Sequence, residues 1–309
     1  MIADAPEISI VLPVFNEEES LQELYDRITA TMEAASENYE VVAVDDGSID
    51  SSFKVLQEFR EKDRRWRVAR LTRNFGQSAA IYAGFSLSEG AYVVMIDADL
   101  QVYPEDIPLL LAKLREGYDM VSGWRTNRQD SPFRKIMSRL LNLYSERITG
   151  FPVHDHGCSL KGFNRSMIDR MVAFTHRCRY LPVDAAMLGG KIGEVPVRHA
   201  VRPHGRSKYG LFKLFRTAFD MITTITTMPL QIISIGGILF SFVGFAMSAR
   251  VLYYRLVYGN IMTMETVIAL FFFLAGVQLF ATGLMCEYVG RIYIETQRKP
   301  LFIIEKELE

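Results

Sequence analysis

Residues 92–101 read Tyr-Val-Val-Met-Ile-Asp-Ala-Asp-Leu-Gln, an apolar run that ends in two aspartates around one alanine. A single aspartate after a strand is commonly a helix cap, but capping does not explain two carboxylates, Asp97 and Asp99, placed where their charges repel. A divalent cation removes that repulsion, because Mg²⁺ and Mn²⁺ take carboxylate and phosphate oxygens as ligands. The stretch therefore predicts a buried strand with a metal site at its end, with Asp97 and Asp99 as ligands.

The same order of apolar run, turn and amphipathic segment occurs throughout the first hundred residues. Predicted strands cover residues 8–14, 39–44, 68–71 and 92–96, and predicted helices cover residues 17–35, 51–62, 78–88 and 104–116. Strands that alternate with helices indicate right-handed crossovers. The pattern predicts an α/β domain of Rossmann-like type with a mostly parallel sheet.

A short polar cluster follows each of the four predicted strands. The clusters are Pro-Val-Phe-Asn-Glu-Glu at 13–18, Asp-Asp-Gly-Ser at 45–48, Arg-Asn-Phe-Gly-Gln at 73–77 and Asp-Ala-Asp-Leu-Gln at 97–101. In parallel sheets, ligands bind beyond the carboxyl ends of the strands. We therefore expect the four clusters to form one binding site along one edge of the sheet.

Composition excludes several other classes of protein. The 309 residues contain 35 basic and 36 acidic side chains, so no overall positive charge favours nucleic acid as a partner. Three scattered cysteines are too few for a disulfide framework or a cysteine-based zinc site. Residues 1–6 lack the basic and apolar segments of an export signal, so we expect the polar part of the chain to face the cytosol.

The chain becomes strongly apolar between residues 228 and 290. Two runs, 230–253 and 267–285, have the length and composition of membrane-spanning helices. A buried hairpin in a soluble core is the alternative, and two such runs joined by a dozen residues disfavour it. Residues 211–227 alternate apolar and basic side chains, as is typical of an interfacial amphipathic helix, although a plain connecting helix has the same pattern.

The charges around the two apolar runs predict the orientation of the protein in the membrane. The basic residues before the first run are Arg202, Arg206, Lys208, Lys213 and Arg216, and those after the second are Arg291, Arg298 and Lys299. The connecting loop offers Arg255, with Arg250 at the end of the first span. The positive-inside rule then places both flanks in the cytosol. We expect a multi-pass protein of the inner (cytoplasmic) membrane with its polar domain on the cytosolic face.

The motifs together resemble a known family. The four polar clusters resemble those of the inverting GT-A glycosyltransferases. Further stretches, Arg125-x-x-Arg128-x-Asp130-Ser131, Asp155-x-Gly157-Cys158 and Ser207-Lys208-Tyr209, resemble the polyprenyl-phosphate branch of that family. This branch includes dolichyl-phosphate mannose synthase, undecaprenyl-phosphate glucosyltransferases and the undecaprenyl-phosphate transferase of the aminoarabinose pathway. The resemblance covers nearly the whole chain.

The resemblance implies a set of site residues. Those implied for the nucleotide sugar are Pro13, Phe15, Asn16, Glu17, Asp45, Asp46, Gln77, Asp97, Ala98, Asp99 and Gln101. Those implied for the phosphate of the acceptor lipid are Arg134, Ser138, Arg202 and Lys208. Asp97 and Asp99 would hold Mg²⁺ or Mn²⁺, and Arg125 would neutralise diphosphate charge. Asp155 would act as a base or orient an arginine or a sugar hydroxyl, two roles that the sequence leaves open.

The implied organisation has four parts: a GT-A domain over residues 1–210, an interfacial helix over 211–227, a two-helix membrane hairpin over 228–290 and a cytosolic tail over 291–309. The implied reaction moves a sugar from a nucleotide diphosphate, UDP by resemblance, to a polyprenyl phosphate, with inversion. A homo-oligomer is left open.

Two rival interpretations share parts of this pattern. Processive polysaccharide synthases carry a Gln-x-x-Arg-Trp motif, and neither Trp66 nor Trp124 lies in that context. A catalytically silent membrane scaffold would not need Asp97, Asp99 and Arg125. Both rivals are therefore less favoured than a glycosyltransferase.

Overall fold

The computed structural model describes residues 5–126, 154–155, 157–173, 181–200, 264–297 and 299–308, with scattered residues between 230 and 259. The chain divides into two compact units. The first, here the sheet unit, comprises Met1–Lys208 and Pro300–Glu309, and the second, here the helical unit, comprises Tyr209–Lys299.

An eight-stranded sheet forms the centre of the sheet unit. Its strands are β1 (Ile8–Val14), β2 (Tyr39–Asp45), β3 (Trp66–Leu71), β4 (Tyr92–Met95), β5 (Met120–Arg125), β6 (Lys161–Asn164), β7 (Ile192–Val197) and β8 (Ile304–Leu308). Their order across the sheet is β7-β5-β6-β4-β1-β2-β3-β8. The first four strands lie where the alternation of apolar runs and helices predicts them.

Helices connect these strands. They are α1 (Leu21–Ala34), α2 (Ser52–Lys62), α3 (Gln77–Leu87), α4 (Ile107–Arg115), α5 (Arg165–Ala173) and α6 (Leu181–Met187), and a 3₁₀ turn, Pro104–Asp106, precedes α4. The predicted first helix began at residue 17, but α1 begins four residues later. The difference arises because residues 17–20 form a turn, in which the Ser20 amide donates to the Glu17 carbonyl.

The expectation of a mostly parallel sheet needs correction. The block β4-β1-β2-β3 is parallel, as is the β5–β7 pair. However, β6 pairs antiparallel with both β4 and β5, and β8 pairs antiparallel with β3. The sheet is therefore mixed. The pattern of apolar runs and helices located β1 to β4 and did not indicate the direction of β6 or β8.

Apolar side chains cover both faces of the sheet. One cluster packs the sheet against α1, α2 and α4, with Leu24, Trp66 and Leu110 among its buried members. The other packs it against α3, α5 and α6, with Phe85 and Phe163 among its members. Every residue of β1 and β2 is buried, and both strands are mostly apolar, with Ser9 and Glu40 among their buried polar residues.

The end of the chain differs from the predicted cytosolic tail. Residues 304–308 form β8, which pairs with β3 at one edge of the sheet. The Thr72 amide also donates to the Ile303 carbonyl at 3.0 Å. Leu301, Phe302 and Ile304 pack against the apolar cluster of the α3 face. The last residues are thus part of the sheet rather than a separate tail.

The helical unit contains a long helix, α7 (Met264–Thr296). Its segment Phe273–Gly290 is, among the described residues, the one helical stretch long and apolar enough to cross a membrane. The predicted second span, 267–285, lies within α7. The described residues of the predicted first span, 230–253, are largely helical, but many residues of that span lie outside the described part, as does the whole predicted interfacial helix at 211–227.

Candidate active site

The loops after β1 and β2 are fastened to each other by hydrogen bonds. The Asn16 amide donates to the Ser48 hydroxyl at 3.0 Å, and the Ile49 amide donates to the Asn16 side-chain oxygen at 2.9 Å. Asn16 has a left-handed backbone, with φ of 55°, and the Glu17 amide donates to Ser52 at 2.9 Å. These bonds join the two loops, which carry residues predicted to bind the nucleotide.

Asp45, at the end of β2, is fully buried and has a cation beside it. Its carboxylate accepts from the Ser48 amide at 3.2 Å and lies 3.3 Å from the Nε of Arg70. Burial raises the pKa of Asp45 above its ordinary value, against the lowering by Ser48 and Arg70. Arg70 also stacks over Phe53 and lies 3.8 Å from Glu305 of β8. It therefore joins the chain end to the predicted nucleotide site.

Asp46 holds the loop that follows β3. Its two carboxylate oxygens accept from the amides of Phe75 and Gly76, at 2.7 and 2.9 Å. Burial raises its pKa, while these two bonds lower it. Gly47 makes this close approach possible, since a Cβ there would come within 2.6 Å of the Arg73 backbone, and its φ is +70°. Asp46 thus has a structural role that the sequence did not reveal.

The two aspartates after β4 lie in a tight turn. Asp99 accepts from the Gln101 amide at 3.2 Å. Leu100, between Asp99 and Gln101, has a φ of 58°. Asp97 accepts from the Gln77 side chain, at the start of α3, at 2.7 Å. The predicted clusters after β3 and β4 therefore meet. The Ala98 carbonyl accepts from the Ser20 hydroxyl at 2.7 Å, which fixes the turn from the α1 side.

The arrangement of carboxylates fits a divalent cation. Burial, and next the charge of Asp99, raise the pKa of Asp97 to about 6. Both residues are partly exposed. Within the described ranges no three His, Cys, Asp or Glu side chains form a larger metal cluster. Two carboxylates are the usual protein contribution to a site that takes its remaining ligands from phosphates and water.

Arg125 and Asp155 form a close ion pair at the end of β5. The arginine donates to the two carboxylate oxygens through Nε at 2.6 Å and Nη2 at 2.9 Å. Asp155 is almost fully buried, and the side chain of Arg125 is 13% exposed. The bidentate pair fixes the plane of the guanidinium. Of the two roles left open for Asp155, this geometry supports the orientation of an arginine.

Lys161 is a residue of the site that the sequence analysis missed. It begins β6, pairs with Met95 of β4 and Ser122 of β5, and is buried. Burial lowers its pKa, and the charges of Cys158, Asp155 and Asp97 oppose that effect. A lysine within the otherwise apolar run that leads into β6 was the available signal.

The segment after β7 runs beside the turn that contains the two aspartates. Ala200 donates its amide to the Gln101 carbonyl at 2.9 Å, and His199 forms a β-bridge with Val102. Arg198 donates to Asp106 at 2.7 and 2.9 Å. Residues 198–200 are therefore fixed to the turn. The predicted acceptor residues Arg134, Ser138, Arg202 and Lys208 lie outside the described residues.

The chain matches the family model described as glycosyl transferase family 2 over residues 9–172. Among curated proteins it is 40% identical over 303 residues to the undecaprenyl-phosphate 4-deoxy-4-formamido-L-arabinose transferase of Proteus mirabilis, covering 97% of this chain and 93% of the relative. It is 42% identical over 303 residues to the protein of the same name from Pseudomonas paraeruginosa, covering 97% and 89%.

Solved structures share the fold. Glucosyl-3-phosphoglycerate synthase from Mycobacterium tuberculosis, in complex with Mn²⁺, uridine diphosphate and glucosyl-3-phosphoglycerate, superposes with a TM-score of 0.53 at 20% identity, covering 71% of this chain and 80% of that one. Its complex with phosphoglyceric acid superposes with a TM-score of 0.52 at 21% identity, covering 71% and 79%. At this level of identity, the likeness concerns the fold alone.

These matches agree with the fold and with the motifs at the sheet edge. They confirm the resemblance to the polyprenyl-phosphate glycosyltransferases of GT-A fold that the motifs indicated. The chain belongs to glycosyltransferase family 2.

Proposed function

We propose that the protein transfers a glycosyl group from a UDP-linked sugar to undecaprenyl phosphate, with inversion at the anomeric carbon, at the cytosolic face of the inner membrane. One observation carries this proposal. Asp97 and Asp99 share one end of the sheet with Arg125, which Asp155 holds in a fixed orientation. The names of the relatives supply the lipid acceptor.

We assign the donor from the hydrogen-bonded loops that follow β1 and β2. Asp45, Asp46 and Asn16 lie in one hydrogen-bonded group of loops, in which the two buried carboxylates would support the backbone that faces a nucleoside. Uridine is the favoured base by resemblance to bacterial relatives. UDP-4-deoxy-4-formamido-L-arabinose is the first donor to test, because the relatives are named for that sugar.

Asp97 and Asp99 would hold Mg²⁺ or Mn²⁺, which would neutralise the charge of the diphosphate when bound. Gln77 orients Asp97 through its hydrogen bond. Arg125 would bind the same diphosphate, and Asp155 fixes the plane of its guanidinium. The cation and Arg125 would stabilise the negative charge that develops on the leaving diphosphate.

The acceptor needs little activation. A phosphate monoester has a second pKa of about 6, so its oxygen is largely anionic at pH 7. In the reaction, a bond forms between this oxygen and the anomeric carbon while the bond from that carbon to the diphosphate oxygen breaks. The electron pair of the broken bond leaves with the UDP. A single displacement of this kind inverts the anomeric centre, and positioning supplies much of the rate.

The lipid phosphate is assigned to Arg134, Ser138, Arg202 and Lys208, which the family resemblance implies. One structural observation supports part of this assignment. Residues 198–200 are fixed to the turn that contains Asp97 and Asp99, so the chain that leads to Arg202 begins beside the donor site. We also propose the membrane hairpin and the interfacial helix as the elements that bring this edge to the lipid headgroups. Self-association is left to measurement.

A donor panel tests the proposal. The full chain, in detergent with undecaprenyl phosphate and Mn²⁺, is supplied in turn with UDP-4-deoxy-4-formamido-L-arabinose, UDP-glucose, UDP-N-acetylglucosamine and GDP-mannose. Release of the nucleotide diphosphate is followed with and without the lipid. We expect lipid-dependent release from a UDP-linked sugar. Release from GDP-mannose alone would contradict the assigned base, and lipid-independent release from every donor would contradict the assigned acceptor.

A further inference from the structure

Two aromatic side chains, Trp124 and His154, stack beside the ion pair of Arg125 and Asp155. Trp124, on β5, lies with its ring centroid 4.6 Å from that of His154, and the two rings are 24° from parallel. Trp124 is 38% exposed, and the His154 side chain is 62% exposed. A large aromatic ring at this level of exposure offers a flat apolar surface to a ligand.

Strand register places Trp124 in the same row as Asp97. Lys161 of β6 pairs with Met95 of β4 and with Ser122 of β5. Extending this register by two residues, past the ends of β4 and β6, aligns Ser159 with both Asp97 and Trp124. The Ser159 side chain also lowers the pKa of Asp97, which agrees with this alignment.

The row gives an approximate distance. Asp97 and Trp124 are separated by two strand spacings, roughly 10 Å between their backbones. A diphosphate held at Asp97 and Asp99 carries its sugar on its outer oxygen. That sugar can therefore reach the face of Trp124.

A single carboxylate fixes the aromatic pair. Glu194 of β7 lies 2.8 Å from the Nδ1 of His154 and accepts from the His154 amide at 2.8 Å. It also accepts from the amide of Asp155 at 3.4 Å. The imidazole is thus held in the stacked position, and the same carboxylate positions the residue that orients Arg125. Glu194 therefore links the stacked rings of Trp124 and His154 to the ion pair of Arg125 and Asp155.

We propose that Trp124 and His154 form a sugar shelf, on which the ring of the transferred sugar stacks, and that this shelf contributes to the choice of sugar. The proposal rests on the proposed function, because the sugar arrives linked to a nucleotide diphosphate. A pyranose presents a face of C–H groups, and an aromatic ring offers a flat surface with a negative face to it. Glu194 is the positioning residue of the shelf.

The test separates the sugar from the nucleotide. Affinities of the full chain are measured for UDP and for UDP-4-deoxy-4-formamido-L-arabinose, with UDP-glucose as a second sugar. Trp124→Leu is expected to weaken binding of the sugar-linked form by roughly 2- to 12-fold, the range of an aromatic contact, and to leave the affinity for UDP unchanged. Trp124→Phe keeps an aromatic face and is expected to restore most of the loss.

Tyr118→Leu is the matched control. Tyr118 lies immediately before β5, at the opposite end of that strand, where it packs under Lys113 and Lys191. Its replacement removes an aromatic ring near the same strand but should change neither affinity. Retained UDP binding by Trp124→Leu shows that the variant is folded.

Quenching by acrylamide gives a second readout in the unaltered chain. The protein has two tryptophans, and Trp66 is fully buried, so the quencher reaches chiefly Trp124. The nucleotide sugar should protect Trp124 from quenching more than UDP does.

Three results would overturn the shelf: equal loss of both affinities in Trp124→Leu, loss of neither, or a raised KM for undecaprenyl phosphate with unchanged binding of the nucleotide sugar. The last would make the pair a lipid contact. The same ratio of affinities can be taken with GDP and GDP-mannose. A wrong base would therefore contradict the proposed donor without deciding against the shelf.

Discussion

At the scale of single residues, the site depends on how carboxylates are neutralised. Asp155 is neutralised within the protein by Arg125, and Asp46 by two backbone amides. Asp97 lies beside a second carboxylate instead: burial, and next the charge of Asp99, raise its pKa to about 6. A carboxylate whose ionised form is disfavoured in this way would gain most from a bound cation.

The raised pKa of Asp97 predicts how metal binding depends on pH. A cation binds the ionised carboxylate, so protons compete below the pKa of about 6. We expect the affinity for Mn²⁺, measured in the presence of UDP, to rise about fivefold between pH 5 and 6 and to level off above pH 7. Asp97→Asn should bind Mn²⁺ weakly at every pH. An affinity of the unaltered chain that does not change between pH 5 and 7 would contradict this assignment.

The pair of Arg125 and Asp155 predicts non-additive losses. If Asp155 acts by orienting Arg125, removing either side chain removes the same function. Asp155→Asn and Arg125→Met should each lower turnover by roughly 10²- to 10³-fold, and the double variant should be no worse than the poorer single variant. Losses that multiply in the double variant would instead identify Asp155 as an independent base.

At the scale of secondary-structure elements, the edge formed by β3 and β8 connects the end of the chain to the donor site. Arg67 and Arg70 both lie on β3 and contact acidic residues of β8: Arg67 lies 3.2 Å from Glu307, and Arg70 lies 3.8 Å from Glu305. The two arginines differ at their other ends. Arg67 also contacts Glu89, whereas Arg70 also contacts Asp45.

This difference gives a matched pair of variants. Arg70→Met leaves the buried Asp45 without its cation, which costs about 1–3 kcal/mol of stability. Because Asp45 supports the loop after β2, we also expect the dissociation constant for UDP to rise severalfold. Arg67→Met should lower the thermal stability of the protein but leave the affinity for UDP unchanged. Calorimetric titration and thermal melting of both variants make the comparison. Equal effects on UDP affinity would show that β8 acts only through overall stability.

Sequence patterns located β1 to β4 but missed β8, for physical reasons. β1 to β4 are short, apolar and separated by helices of clear periodicity, so the pattern located them and their polar ends. β8 has the sequence Ile-Glu-Lys-Glu-Leu, and its partner β3 lies more than two hundred residues away in the chain. Neither composition nor periodicity indicates such a pairing. The ion pair of Arg125 with Asp155 also depends on distant segments, as does the stack of Trp124 with His154.

At the scale of the whole molecule, the chain leaves the sheet unit for a helical unit and returns to the sheet with its last residues. The helical unit contains α7, whose apolar segment Phe273–Gly290 is mostly exposed in the protein alone. Large apolar surface without protein cover is typical of a segment that lies in a membrane. The distribution of basic residues favours a cytosolic position for the sheet unit.

A labelling experiment tests this orientation. The three native cysteines are first replaced. One variant then carries a new cysteine at Asn260, in the loop between the two predicted spans, which the proposed orientation puts outside the cell. The other carries it at Glu61, which is exposed on α2. An impermeant thiol reagent applied to intact cells should label the first variant and not the second. Both should react after the cells are opened. Labelling of the Glu61→Cys variant in intact cells would reverse the proposed topology.

The most direct test of the proposed reaction is the mass of the lipid product. The purified full chain is incubated with Mn²⁺, undecaprenyl phosphate and the UDP-linked sugar that the donor panel identifies. The lipid is then extracted, and its mass is measured by mass spectrometry. We expect its mass to increase by one glycosyl residue, with one UDP released per lipid, and Asp99→Asn to form almost no product. A lipid that gains a growing series of sugars, or a donor that is cleaved while the mass of the lipid stays unchanged, would contradict a single transfer to the lipid phosphate.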